Sequence, residues 1–329
     1  MRPEDAVTIV IRAAGERTVE ACRAAVLAQG MPAGNIVIVR EAPFSRAMRV
    51  GFQAGIDAGR PWTFCIDADV ILRPGAIAVM LAHALRQPSN VFEIQALALD
   101  KITITLREVG NHFFRTAHLA RVIAEIPEEG TALRPESAAQ YAMVRKGYPF
   151  HFVPYVLGLH DFGQFNRDIF RKSFTHAQKH LHLLPDLIPK MRARARQDAD
   201  FDIALQGIAE GLKATEDVRI DIRYPLFRQR FDALELPEKD AAADAEFADV
   251  DAILDRWAQA DDLVVRRLPM SARAAMDLGP DARFDRWSRL RWTLQQRRAE
   301  LRAGMVPVYA VAAGLEQCGI RLKRAVQKR

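Results

Sequence analysis

Apolar runs rich in β-branched residues alternate with segments of helical periodicity through the first hundred residues, and this alternation restricts the chain to the α/β class. Residues 7–11 read as a strand buried on both faces, and Val19, Cys22 and Val26 then recur at helical spacing until Gly30. Residues 36–39 form the next strand signal. Ser45 suits the cap of a helix carrying Met48, Phe52 and Ile56 on one face, with Gly59 at its end. A third strand signal spans 62–66. Pro74 suits the first turn of a helix whose Ile77, Met80, Leu81 and Leu85 share a face, and 91–97 reads as a strand after it. Successive β-α units predict a Rossmann-like mixed, mainly parallel sheet flanked by helices. In such sheets ligands bind beyond the carboxyl ends of the strands.

From about residue 166 the pattern becomes helical, with segments over 167–184, 201–212, 250–260 and 284–301. Ile169, Phe170, Phe174, Ala177 and Leu181 form an apolar stripe on the first of these. With 329 residues and half of them apolar, the chain divides by this reading into an α/β domain over 1–165 and a mostly helical extension over 166–329. The acidic, Ala-rich stretch 237–248 is its predicted loop.

The net charge of +6 is unevenly placed. Residues 281–329 carry the excess of Arg and Lys, while 235–262 are strongly acidic, so the basic balance does not argue for nucleic-acid binding by the whole surface. Pairing between the two segments is the simplest account of both. Cys22, Cys65 and Cys318 are odd in number and lack C-x-x-C or zinc-finger spacing, which fits reduced thiols in the cytoplasm. The polar start Arg2-Pro3-Glu4-Asp5 does not read as a signal peptide, and no apolar run approaches the ~20 residues of a membrane span.

The chemistry is signalled by Ile66-Asp67-Ala68-Asp69-Val70, two carboxylates one residue apart where the third strand runs out. A D-x-D at a strand end can hold a hard divalent cation with open positions, and such a cation takes up substrate phosphates. Short acidic pairs also cap helices and close turns, so the motif alone is a weak signal. Further along, Glu136 follows Pro135 at a helix start, and His160 precedes Asp161 after a strand over 150–157. Arg12, ending the first strand, and Arg49, on the helix opening at Ser45, are basic residues near the predicted phosphate crevice. Either suits a bidentate pair with a diphosphate or an ordinary salt bridge.

Three blocks, T-I-V-I-R-A-A-G-E-R-T-V-E-A-C, N-I-V-I-V and C-I-D-A-D-V-I-L-R-P-G-A-I, resemble in order and spacing the inverting family 2 glycosyltransferases of GT-A fold. G-N-H-F-F-R-T-A-H-L at 110–119 resembles the family's segment that closes over the sugar. Residues 135–160 are similar to its acidic position, helix, glycine, strand and terminal histidine. The resemblance implies transfer of a sugar from a nucleotide-diphosphate donor to a hydroxyl acceptor, a glycan, a polysaccharide or a lipid-linked one, using Mn²⁺ or Mg²⁺. It makes Asp67, Asp69 and His160 the metal and donor site, with Asp161 an alternative ligand, and Glu136 the general base. Asp67 is thereby either a metal ligand through water or the holder of the ribose. Relatives carry an acid-rich turn after the second strand that holds the nucleobase. This chain has Val39-Arg40-Glu41-Ala42-Pro43-Phe44, where Glu41 takes the acid's place.

Other signals are weaker. His176, His180 and His182 lack an H-E-x-x-H context and read as a solvated face. No G-x-G-x-x-G, P-loop or G-x-S-x-G is present. Phe284, Trp287, Leu290 and Leu294 among arginines form a basic amphipathic pattern, suited to an anionic membrane surface or, preferred here, to packing on the catalytic domain or on a second copy. Two rival functions stand beside the transferase: a nucleotidyltransferase, disfavoured by the missing glycine-rich loop, and a degenerate binding or assembly module.

Overall fold

The computed structural model describes residues 1–278 apart from 218, 242, 243, 267 and 269. The basic pattern over 284–301 lies outside the described residues. Among the described residues nine strands make one mixed sheet: β1 (Val7–Arg12), β2 (Ile36–Val39), β3 (Trp62–Asp67), β4 (Val70–Leu72), β5 (Glu93–Asp100), β6 (Thr105–Arg107), β7 (Asn111–Arg115), β8 (Phe150–His160) and β9 (Val264–Val265). The main path runs β2-β1-β3-β7-β5-β6-β9, with β8 joining β5 and β4 joining β8. β1, β2, β3, β5 and β8 point one way, and the short β4, β6, β7 and β9 point the other.

The helices are α1 (Pro3–Ala6), α2 (Val19–Leu27), α3 (Phe44–Ala58), α4 (Ala76–Leu85), α5 (Leu119–Glu125) and α6 (Pro135–Arg145), followed by α7 (Asn166–Lys179), α8 (Leu184–Arg194), α9 (Asp200–Lys213), α10 (Pro225–Ala233), α11 (Val250–Ala258) and α12 (Ala272–Met276). β1 and β5 are buried along their whole length, because helices cover both faces. One apolar cluster joins Ile9, Ile66 and Leu97 of the sheet to Phe170 and Phe174 of α7, Phe201 of α9 and Trp257 of α11. A smaller one under α3, α5 and α6 gathers Val10, Met48, Phe52, Phe114, Val122 and Met143. The helices after residue 166 thus share the sheet's own core, and β9 adds to the sheet's edge through Thr105↔Val264.

Boundaries differ from the sequence reading where caps decide them. α3 opens at Phe44 after Pro43, and Ser45 donates its hydroxyl to Glu129 instead of capping; Gly59, at φ +68, ends the helix as anticipated. α4 starts after Gly75, not at Pro74. α7 stops at Lys179, so Leu181, placed on its apolar stripe by periodicity, is 62% exposed. The acids of 235–262 find described partners: Glu238 pairs with Arg167, Glu246 with Arg17, Asp251 with Arg73 and Asp262 with Arg194. None of these four needs the basic C-terminal segment. No helix among the described residues is long and apolar enough to cross a membrane.

Candidate active site

Four strands that point the same way each end on a polar residue: β1 on Arg12, β3 on Asp67, β5 on Asp100 and β8 on His160. Parallel register sets Arg12 beside Asp67 and Asp100 beside His160. Their side chains therefore gather at one edge of the sheet, where a cavity of about 500 Å³ runs from the segment after β2 to β9. Antiparallel pairing of β4 with β8 puts Val70 opposite His160, so Asp69 and Asp161 meet beside it, with the Asp161 amide donating to the Asp69 carbonyl at 3.2 Å. Asp161 holds a left-handed φ of +64, a conformation that persists only where surrounding contacts impose it.

The Asp67–Asp69 turn is pinned from beneath. Ala68 N–H donates to Arg12 O at 2.9 Å, Thr18 Oγ1 donates to Ala68 O at 2.8 Å, and Asp67 N–H donates to Gly110 O at 2.9 Å. Gly110 has φ +59, and a Cβ there would lie 2.7 Å from Val70 Cγ2 and 3.2 Å from Asp67 Oδ2. At Gly158 a Cβ would fall 2.1 Å from Ile71 O, so only glycine lets β4 close on β8.

Two charge clusters result. In the first, Arg12 Nε donates to Asp67 Oδ1 at 2.8 Å and Nη1 to Glu136 Oε1 at 2.6 Å, while His112 Nε2 reaches Glu136 Oε2 at 3.0 Å and its Nδ1 reaches Glu93 Oε1 at 2.6 Å. Burial disfavours the His112 cation, but Glu136 and Glu93 outweigh it and raise its pKa to about 10. Burial likewise pushes the Glu136 carboxyl up, yet Arg12 and His112 hold it well below the usual carboxylate range. Asp67 is shifted upward, burial first, against the pull of Arg12.

In the second cluster, Asp69, His160 and Asp161 each offer a ligand atom within 4.8 Å of the others. His160 Nε2 is 3.6 Å from Asp69 Oδ1, and its Nδ1 is 3.2 Å from both Asp100 Oδ2 and Asp161 Oδ2. Burial opposes the imidazolium, but Asp161 and Asp69 raise its pKa to about 10. Lys172, on α7, donates to both Asp69 Oδ2 and Asp161 Oδ1. Burial opposes its charge too, and Asp161 and Asp69 again prevail. Asp69 Oδ1 is buried with no hydrogen-bond partner among the described residues. Two carboxylates, one of them with an orphaned oxygen, suit a hard divalent cation, which would take from Lys172 the oxygens it now holds and would draw a proton off His160 before the ring could join as a ligand.

Of the residues singled out from sequence, Arg12, Asp67, Asp69, His160 and Glu41 line the cavity, Glu41 pairing with Arg46 at 2.8 Å on its rim. Arg49 is not among the lining residues: it donates to the carbonyls of Ile123 and Ile126, fastening α3 to α5. Glu136 is not among the lining residues, and two cations hold both its oxygens. A carboxylate held by two cations is a weakened base. Arg12 is no free fork either, since both carboxylates already occupy it. His176 and His180 line the cavity instead of a solvated face. Sequence reasoning missed Lys172, Asp100, His112 and Glu16. The Glu16 carboxyl lines the cavity and accepts from Ala14 N–H at 2.6 Å; burial and then Asp69 push its pKa to about 7. A clue existed for Lys172, because Asp168, Lys172, Thr175 and Lys179 recur at helical spacing opposite the apolar stripe.

No protein-family model and no curated protein matches the chain. Solved structures do. A glycosyltransferase involved in glycosylation of the major capsid of PBCV-1 is similar at 15% identity and TM-score 0.33, over 45% of this chain and 80% of that one. A mannosyltransferase from Pyrobaculum calidifontis, in complex with GDP-Man and Mn²⁺, is similar at 12% identity and TM-score 0.36, over 70% of this chain and 80% of that one. A protein assigned as a nucleotide-diphospho-sugar transferase from Desulfovibrio desulfuricans G20 is similar at 10% identity and TM-score 0.32, over 66% of this chain and 100% of that one.

Proposed function

We propose that the protein transfers a sugar from a nucleotide-diphosphate donor to a hydroxyl acceptor, with inversion, assisted by Mn²⁺ or Mg²⁺. The observation that carries this reading is the orphaned Asp69 Oδ1 among Asp69, His160 and Asp161, at the floor of a cavity that also opens toward the end of β2. Asp69, His160 and Asp161 would hold the ion, which when bound neutralises charge on the leaving diphosphate. Asp67, fixed by Arg12, faces the donor beside it. Glu136 orients Arg12 and is a positioning residue. Glu41, on the rim, is placed for the nucleoside end.

The acceptor hydroxyl must shed its proton as it attacks the anomeric carbon. Glu16 is the lining carboxylate whose pKa, about 7, best suits a general base at neutral pH. Glu16→Gln should remove the acidic limb of the pH–rate profile; an unchanged limb would rule this residue out.

Thermal-shift titration of nucleoside diphosphates with and without MnCl₂ tests the whole reading. A ligand at 100 times its Kd adds about 2.7 kcal/mol. Stabilisation that needs Mn²⁺ and vanishes in Asp69→Asn supports the assignment. No shift with any common nucleoside diphosphate refutes it, and pyrophosphate release from a nucleoside triphosphate and a sugar phosphate would replace it with nucleotidyl transfer.

A further inference from the structure

The cavity has two unlike ends. Toward β1 and β2 its charges are matched: Arg12 serves Asp67 and Glu136, and Lys172 serves Asp69 and Asp161. Toward β6, β9 and the C-terminal half of α7 they are not. Lys179 lines this end, and no carboxylate among the described residues pairs with it. Arg134 Nη2 donates to His180 Nε2 at 2.5 Å, a contact with an imidazole and not with an acid. Among the described residues, Arg171 has a distant ion pair with Asp168, at 3.6 Å, and its buried Nε lacks a hydrogen-bond partner, as does His176 Nε2.

The acids that line this end leave the excess unbalanced. Asp100 is engaged by Arg107 at 2.5 Å, Asp221 is held by Arg223 at 2.6 Å, and Asp186 is exposed to solvent. Three cations therefore converge on a partly enclosed space where the nearby acids are distant, already engaged by other cations, or out in solvent. Consistent with that geometry, burial and then Arg134, Arg107 and Arg171 lower the Lys179 pKa to about 8. Burial and then the neighbouring His176, Arg134 and Lys179 push His180 down to about 3, so it stays neutral and able to accept from Arg134. Cations placed against one another and away from carboxylates cost stability unless an anion relieves them.

We infer that this end of the cavity, formed by Arg134, Arg171 and Lys179, binds a phosphoryl group carried by the acceptor. A phosphate monoester brings a charge of about −1.5 to −2 and several acceptor oxygens, which suits two guanidinium forks and one ammonium better than a single carboxylate does. The position separates it from the donor. The nucleoside end lies beyond β2, the candidate ion site lies at the ends of β3 and β8, and the basic end lies beyond them toward β6 and β9. A hydroxyl acceptor anchored there by its phosphate would present itself to the donor across Asp69. The inference deepens the transferase reading and rests on it for the word acceptor.

The test is isothermal titration of the full chain with glucose 6-phosphate, glucose, and GDP or UDP with MnCl₂. Glucose 6-phosphate should bind, glucose should not, and a saturating nucleoside diphosphate should leave the sugar phosphate's Kd within about twofold. Lys179→Gln and Arg134→Gln should each weaken glucose 6-phosphate by about tenfold, equivalent to about 1.4 kcal/mol, with nucleotide affinity held. Displacement of the sugar phosphate by the nucleotide would make this end a seat for the donor's diphosphate and overturn the inference. Nucleotide binding with no affinity for glucose 6-phosphate would also overturn it. Sugar-phosphate binding without any nucleotide binding would keep the anion site and sink the transferase reading instead.

Discussion

Replacing Arg12 by Met removes a guanidinium whose side chain is 3% exposed from between Asp67 and Glu136, at 28% and 22%. Methionine nearly fills the volume, so the cost is electrostatic: two mostly desolvated carboxylates lose their shared counter-charge. Removing one partner of a buried pair costs about 3 to 5 kcal/mol. The lower part of that range applies, because Glu136 keeps His112 at 3.0 Å and both acids retain some contact with solvent. A loss of about 3 kcal/mol should appear in urea unfolding followed by circular dichroism as a lower midpoint with an unchanged slope. Glu136→Gln on the wild-type background should also destabilise. In the double variant the two costs should fall short of their sum by about 1 kcal/mol or more, since the glutamine no longer demands the missing charge. Strict additivity, or an Arg12→Met loss below about 1 kcal/mol, would refute the view that Arg12 locks β1, β3 and α6 together.

Gly110→Ala should cost about 2 to 4 kcal/mol, from a left-handed φ and a methyl pressed on Val70, and should weaken Mn²⁺ binding because the methyl also lies 3.3 Å from His160 Cδ2; a thermal melt and a metal titration read the two effects. The pKa of His112 is about 10 in the folded chain against an ordinary 6.5, so its imidazolium stabilises the fold fully below pH 6.5 and that stabilisation is lost as pH rises through 10. His112→Gln should flatten the stability profile over that window, and an unaltered slope would contradict the Glu93–His112–Glu136 chain. Lys172→Met should lower stability by leaving Asp69 and Asp161 without their ammonium, yet bind Mn²⁺ more tightly, since the ion no longer competes with it. Weaker Mn²⁺ binding in that variant would show that Lys172 supports the ion instead of standing in its place.

The sheet's parallel core was legible because buried strands and amphipathic helices differ in period, and residues 7–97 keep the two periods apart. Short edge pieces such as β6 and β9 carry no such signal; their pairing depends on chain segments more than 150 residues apart in sequence. Asp69 and His160 were identifiable as chemistry, but their meeting depends on antiparallel β4 closing over Gly158, which periodicity does not reveal. Glu136 shows the opposite case. Its position at the start of α6 was readable, whereas its role turns on Arg12 and His112, distant in sequence, that hold both its oxygens. A single lysine on a helix reads as a solvated charge, and only tertiary packing turns Lys172 toward two carboxylates. The Arg49 guanidinium, too, has partners that periodicity does not reveal, the carbonyls of Ile123 and Ile126.

The most direct test of the proposed chemistry is Mn²⁺ electron paramagnetic resonance titrated with a nucleoside diphosphate, on the wild type and on Asp69→Asn and His160→Ala. The account predicts a bound-ion signal in the wild type that strengthens with nucleotide and is lost in both variants. An ion signal of equal strength in all three proteins, or none in the wild type at millimolar Mn²⁺ with nucleotide in excess, would contradict it.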